Sequence, residues 1–180
     1  MVPEAKLEQT ENGLVPHGPG WYVLNARDAS WWAAEGRGAY SNLEGEPDFE
    51  QLGISLVTLA PREAMAMYHW EEDQEDFLVL AGEALLIVEG EERPLRAWDF
   101  VHCPPETKHV IVGAGDSRCL LVAVGARDKS VGENWGGYTV DAVAARHGAS
   151  VDEATTVPKE AYAKVAQRQP TRCGENWLPD

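Results

Sequence analysis

The stretch His69-Trp-Glu-Glu-Asp-Gln-Glu-Asp-Phe-Leu-Val-Leu-Ala-Gly82 decides how this chain is read. A short run, His69-Trp70-Glu71, gives way to an acidic loop, Glu72-Asp73-Gln74, and then to the apolar run Phe77 to Leu80, closed by Gly82. On an extended strand, residues two apart point to one face, so His69 and Glu71 converge on one point. Glu75 lies just ahead of the apolar run and re-enters the same side after the loop.

The same texture extends in both directions. Leu52-Gly-Ile-Ser-Leu-Val-Thr-Leu-Ala60 alternates, with Leu52, Ile54, Leu56 and Thr58 on one face, and stops at Pro61. Downstream, Ala84 to Val88 is closed by Glu89-Gly90-Glu91, and Asp99-Phe-Val-His-Cys103 by Pro104-Pro105. His109 to Val112 is closed by Gly113-Ala114-Gly115, and Cys119 to Val124 by Gly125. Short β-branched and aromatic runs recurring about every ten residues, with turn chemistry between them, mark a sandwich or barrel. Residues 52–125 therefore read as an all-β core.

Two spacings within this core carry a resemblance. His69-x-Glu71-x3-Glu75-x6-Gly82 resembles the first motif of the cupin superfamily, G-x5-H-x-H-x3,4-E-x6-G, and Asp99-x4-Pro104-x4-His109 resembles the second, G-x5-P-x4-H-x3-N. The likeness implies an all-β fold, a cupin-type double-stranded β-helix (jelly-roll) barrel, with metal ligands pointing inward from its strands. Carried over position by position, it implies a divalent metal at His69, Glu71, Glu75 and His109. Trp98 stands at the second motif's opening Gly and Gly113 at its final Asn. The consequential departure is Glu71, which replaces the family's second His. Two imidazoles and two carboxylates would neutralise a divalent ion and favour the harder Mn²⁺ or Fe²⁺, with Zn²⁺ or Ni²⁺ also compatible. Glu71 is either a ligand or a base held beside the ligands.

His102 alternates with Phe100 and is a second candidate catalytic acid or base if that face lines the barrel. Cys103 and Cys119 read as small hydrophobes.

The chain has 180 residues and a formal charge of −15, from 30 Asp and Glu against 15 Lys and Arg. No run of Lys or Arg builds a basic face, which argues against nucleic acid and anionic membranes as partners. Seven Trp and 44% hydrophobic content argue against a disordered acidic chain. No signal-like start, no membrane-length apolar stretch and three widely spaced Cys make a cytoplasmic protein the expectation.

The flanks suggest three regions: an N-terminal arm at 1–20 with little structure of its own, the barrel at 21–126, and a C-terminal extension at 127–180 with short helices. Ser30 to Glu35 reads as a turn or one helical turn. Thr139 to His147, a capping-box pattern at Ser150-Val-Asp-Glu153, and Lys159 to Gln167 after Pro158 are the helical signals. The implied function is a metal-dependent enzyme of dioxygenase, isomerase or lyase type acting on a small organic molecule. The alternative is a non-catalytic small-ligand binding or sensing module. A homodimer formed through the arm or the aromatic segment at 21–40 is a further implication of the resemblance.

Overall fold

A computed structural model of the chain describes residues 1–127 and 135–179. The strands are β1 (Lys6–Thr10), β2 (Gly13–His17), β3 (Ser30–Ala33), β4 (Ala39–Ser41), β5 (Leu52–Leu59), β6 (His69–Glu71) and β7 (Glu75–Ala81). They continue with β8 (Glu83–Val88), β9 (Glu91–Arg96), β10 (Phe100–Cys103), β11 (His109–Ala114), β12 (Cys119–Ala126), β13 (Gly136–Tyr138) and β14 (Gln169–Arg172). The helices are α1 (Ala142–Arg146) and α2 (Pro158–Ala161). No described helix is long and apolar enough to cross a membrane.

Two antiparallel sheets face each other, one ordered β10-β7-β12-β5-β4-β3-β14 and the other β13-β6-β11-β8-β9. From β5 to β12 the chain passes back and forth between them, which is the winding of a double-stranded β-helix. Alternation decides which side chains enter the space between the sheets. On β7, Phe77 and Val79 are buried in the core while Leu78 is only partly covered. Val57, Leu59, Leu86, Ile111 and Leu121 complete that core from the neighbouring strands. On β11 both faces are covered, because Val110 and Val112 pack against Ala144 and Ala149 of the C-terminal extension. The extension is therefore a second apolar layer over the five-stranded sheet.

The flanks depart from the sequence reading in four places. Residues 1–20 form a hairpin in which Thr10 pairs with Gly13 across a two-residue turn. The turn residues are Glu11 and Asn12, and Gly13 follows them as the first residue of β2. Gly13 has φ +127, and a Cβ there would meet the Ala29 carbonyl oxygen at 2.5 Å. Ser30 to Ala33 is strand β3, with Trp31 fully buried against Trp177 of the tail. No helix starts at Ser150, whose hydroxyl accepts from Asp141 N and donates to Val151 O. The last helical signal yields only Pro158–Ala161, since Tyr162 and Val165 turn inward onto Tyr138 and Val151. The helix over 139–147 forms as α1, capped by Asp141 accepting from Val143 N and Ala144 N.

Candidate metal centre

Strand β6 carries His69, β11 carries His109, and the two are direct cross-strand partners with ring centroids 4.8 Å apart. Glu75 opens β7 in the opposite sheet, so the acidic loop between β6 and β7 returns its carboxylate across the barrel to the imidazoles. Glu75 Oε2 lies 3.1 Å from His109 Nε2 and 3.6 Å from His69 Nε2. One ligand atom from each of the three residues falls within 4.8 Å of the others. His109 is 1% exposed and His69 6%.

The hydrogen bonds fix what these atoms offer. His69 Nδ1 donates to the Met67 carbonyl at 2.8 Å, and His109 Nδ1 to the Thr107 carbonyl at 3.0 Å. Each Nε2 therefore points into the cluster, where the neutral imidazole offers its lone pair, the arrangement that orients metal-ligating imidazoles. His109 Nε2 and Glu75 Oε2 are fully buried, yet neither has an aligned hydrogen-bond partner. Buried polar atoms left unpaired are costly, and lone pairs converging from two imidazoles and a carboxylate fit a divalent cation.

The electrostatics agree. Burial works against charge on Glu75, but the neighbouring His109 and His69 outweigh it and hold the carboxyl at about 2. Burial likewise opposes charge on His109, while the nearby Cys103 and Glu75 push its pKa up. Without an ion the raised pKa leaves a second proton on His109, at the Nε2 that faces Glu75, and a divalent ion would take that proton's place.

Glu71 lies beside the three rather than among them. Its Oε1 is 3.8 Å from His69 Nε2, and its side chain is 29% exposed at the end of β6. Two residues along a strand is a rise of about 7 Å, which carries Glu71 to the rim while Glu75 crosses back from the other sheet. Burial and then the Glu75 carboxylate raise its pKa to about 7, against the opposing influence of His109. A carboxyl poised near neutrality beside three convergent donors is suited to moving protons.

His102 does not reach this cluster. Along β10, Val101 and Cys103 are buried while Phe100 and His102 face outward, and His102 Nδ1 bonds Asp76 Oδ1 at 2.7 Å on the outer surface. The face it shares with Phe100 is the outer one, contrary to the condition for a role in the barrel. His102→Ala should change turnover by less than about twofold and stability by no more than about 1 kcal/mol, by steady-state kinetics and urea unfolding.

Sequence reasoning missed three neighbours. Cys103, read as a core hydrophobe, influences His109 from β10. Tyr138 on β13 is 8% exposed, and its ring stands 6.0 Å from that of His69. Burial, and then Tyr162, raise the phenol's pKa and keep it protonated. Tyr162 follows at 5.4 Å from Tyr138, edge on. The signal for Tyr138 was Gly136-Gly137 before it: a Cβ at Gly136 (φ +143) would meet the Trp70 carbonyl oxygen at 2.1 Å, so only glycine lets β13 lie against β6.

Residues 55–125, which hold His69, Glu75 and His109, match the family model described as Cupin domain. No curated protein gives a significant match. Among solved structures, the polyketide cyclase RemF of Streptomyces resistomycificus superposes with a TM-score of 0.53 at 15% identity, over 60% of this chain and 80% of that one. A provisional sugar phosphate isomerase of Acidithiobacillus ferrooxidans is 28% identical with a TM-score of 0.42 over 43% of this chain. The match spans 51%, about half, of that protein's length. A sugar phosphate isomerase of Silicibacter pomeroyi is 25% identical, with a TM-score of 0.46 over 50% of this chain and 59% of its own. The motifs, the winding of the two sheets and the family match agree that residues 55–125 of this chain form a cupin domain.

Proposed function

We propose that this protein is a metal-dependent enzyme acting on a small organic substrate by proton transfer, of isomerase or lyase type. His69, Glu75 and His109 would hold a divalent ion, and Glu71 would move the proton. The observation that carries this reading is the convergence of His69 Nε2, His109 Nε2 and Glu75 Oε2, two of them buried without hydrogen-bond partners. When bound, the ion supplies Lewis acidity to a substrate oxygen. The chain's own groups supply the rest. The carbonyls of Met67 and Thr107 hold the imidazoles in their ligating tautomer. Glu71, at the partly open rim of the cluster, takes or returns a proton. Tyr138 is a neutral phenol near His69 and a hydrogen-bond donor for a bound oxygen. A dioxygenase would need the same three donors around a redox ion, but a proton-moving carboxyl beside them favours isomerisation or elimination. The homodimer remains part of the proposal, with exposed Phe100 and Trp98 as further apolar surface for it.

A panel of hydroxy acids, ketoses and diketones, assayed by proton exchange into ²H₂O and by oxygen uptake, tests this reading. Chelator-treated protein should lose substrate proton exchange and regain it with added Mn²⁺, Fe²⁺, Zn²⁺ or Ni²⁺. Exchange that survives complete chelation would contradict the metal-dependent reading, and oxygen uptake without exchange would move it to dioxygenation.

A further inference from the structure

Arg37, between β3 and β4, and Arg168, just before β14, are partly buried, unlike the exposed Arg96. Among the described residues no acidic side chain lies within ion-pair distance of either guanidinium. Arg168 donates from Nη2 to the carbonyls of Met65, at 2.9 Å, and Arg37. It lies 5.1 Å over the Tyr40 ring, and its Nε is buried with no partner. Arg37 donates from Nη1 to the Ala166 carbonyl at 3.0 Å and stacks 4.2 Å over Tyr162. Burial, and then the charge of Arg37, lower the pKa of Arg168.

These contacts fasten the C-terminal segment to the β3–β4 turn and to Met65. Fastening uses Nη1 of one arginine and Nη2 of the other and leaves donors unspent on both. The nearest acid that acts on Arg168 is Glu63, whose Oε2 is taken by Ala60 N at 2.7 Å and faces Arg118 at 3.4 Å, so two like charges are held together with no carboxylate in contact, which favours a further anion.

The pair is also linked to the candidate metal centre. Tyr162, under Arg37, packs against Tyr138, whose ring is 6.0 Å from that of His69. Tyr162 Oη accepts from Met67 N at 3.2 Å, and the carbonyl of that same Met67 holds His69 Nδ1. Two guanidiniums, two phenols and the imidazoles thus lie in one continuous run of contacts. Guanidinium forks suit carboxylate and phosphate oxygens.

We propose that Arg37 and Arg168 bind the anionic group, a carboxylate or a phosphate, of a substrate whose reacting end lies at His69, Glu75 and His109. The inference rests on the proposed function and narrows its substrates to small anions, in a chain whose net charge is −15. Calorimetric titration of the full chain with inorganic phosphate and with malonate, each with and without EDTA, tests it. Saturable binding of phosphate identifies a phosphate-bearing substrate, and of malonate a carboxylate. In either case Arg37→Gln and Arg168→Gln should weaken binding about tenfold or more, while Arg96→Gln leaves it unchanged. Arg37→Gln carries the test alone if Arg168→Gln lowers the unfolding temperature. Because the arginine dependence is read with chelator present, it stands or falls apart from the metal reading. Binding of neither anion, or binding indifferent to Arg37→Gln, overturns the proposal.

Discussion

His109→Ala is expected to abolish retention of a divalent ion. His109 is the most buried of the three convergent donors, at 1% exposure, and its Nε2 has no protein partner to release. Its removal leaves His69 and Glu75, and two donors do not complete a divalent site that normally takes three or more protein ligands. Losing even an outer partner of a ligand typically weakens metal binding about 10–100-fold, so losing the ligand itself should cost at least about 100-fold. Dialysis against a metal buffer followed by elemental analysis measures this. The imidazole packs on Phe77 of the core at 5.4 Å, so circular dichroism and thermal unfolding of the same variant separate lost ligation from lost packing.

Glu71→Gln is expected to separate chemistry from metal binding. The amide keeps the shape of the side chain and removes its capacity to take a proton. Removing a general acid or base typically costs about 10²–10⁴ in kcat. Metal content should stay within about twofold of wild type, because the Glu71 carboxylate stands outside the set that converges. A parallel loss of metal would instead make Glu71 a fourth ligand, the role that the resemblance alone implied. Steady-state kinetics and elemental analysis on one preparation distinguish the two.

The barrel was legible because its strands alternate and their turns are marked by Gly and Pro; His69, Glu75 and His109 were legible because two motifs fall in order along those strands. What escaped was three-dimensional. Glu71 shares a face with His69 by periodicity, but β6 ends there, and periodicity does not say how far a side chain stands from a point across the barrel. His102 required knowing which face of β10 is inward, and Phe100 looks like a core residue in sequence although it lies outside. Tyr138, Tyr162, Arg37 and Arg168 come from the flanks, where short strands pair with distant partners: β13 with β6 and β14 with β3. Such pairings leave no local pattern.

The acidity that first served only to argue against nucleic acid is concentrated where it matters. Glu71, Glu72, Asp73, Glu75 and Asp76 crowd the passage from β6 to β7. Glu75 turns inward to the imidazoles, Glu71 sits at the rim, and Asp76 turns outward to His102. One acidic run thus serves three separate surroundings because the strand changes sheet within it.

Elemental analysis of the full chain purified without a histidine tag tests most directly whether His69, Glu75 and His109 hold a divalent ion. About one transition-metal ion per chain is expected in the wild type, either as isolated or after reconstitution, and less than about a tenth of that in His109→Ala. A wild-type protein that takes up no ion on reconstitution, or a His109→Ala protein that keeps the wild-type amount, would contradict it.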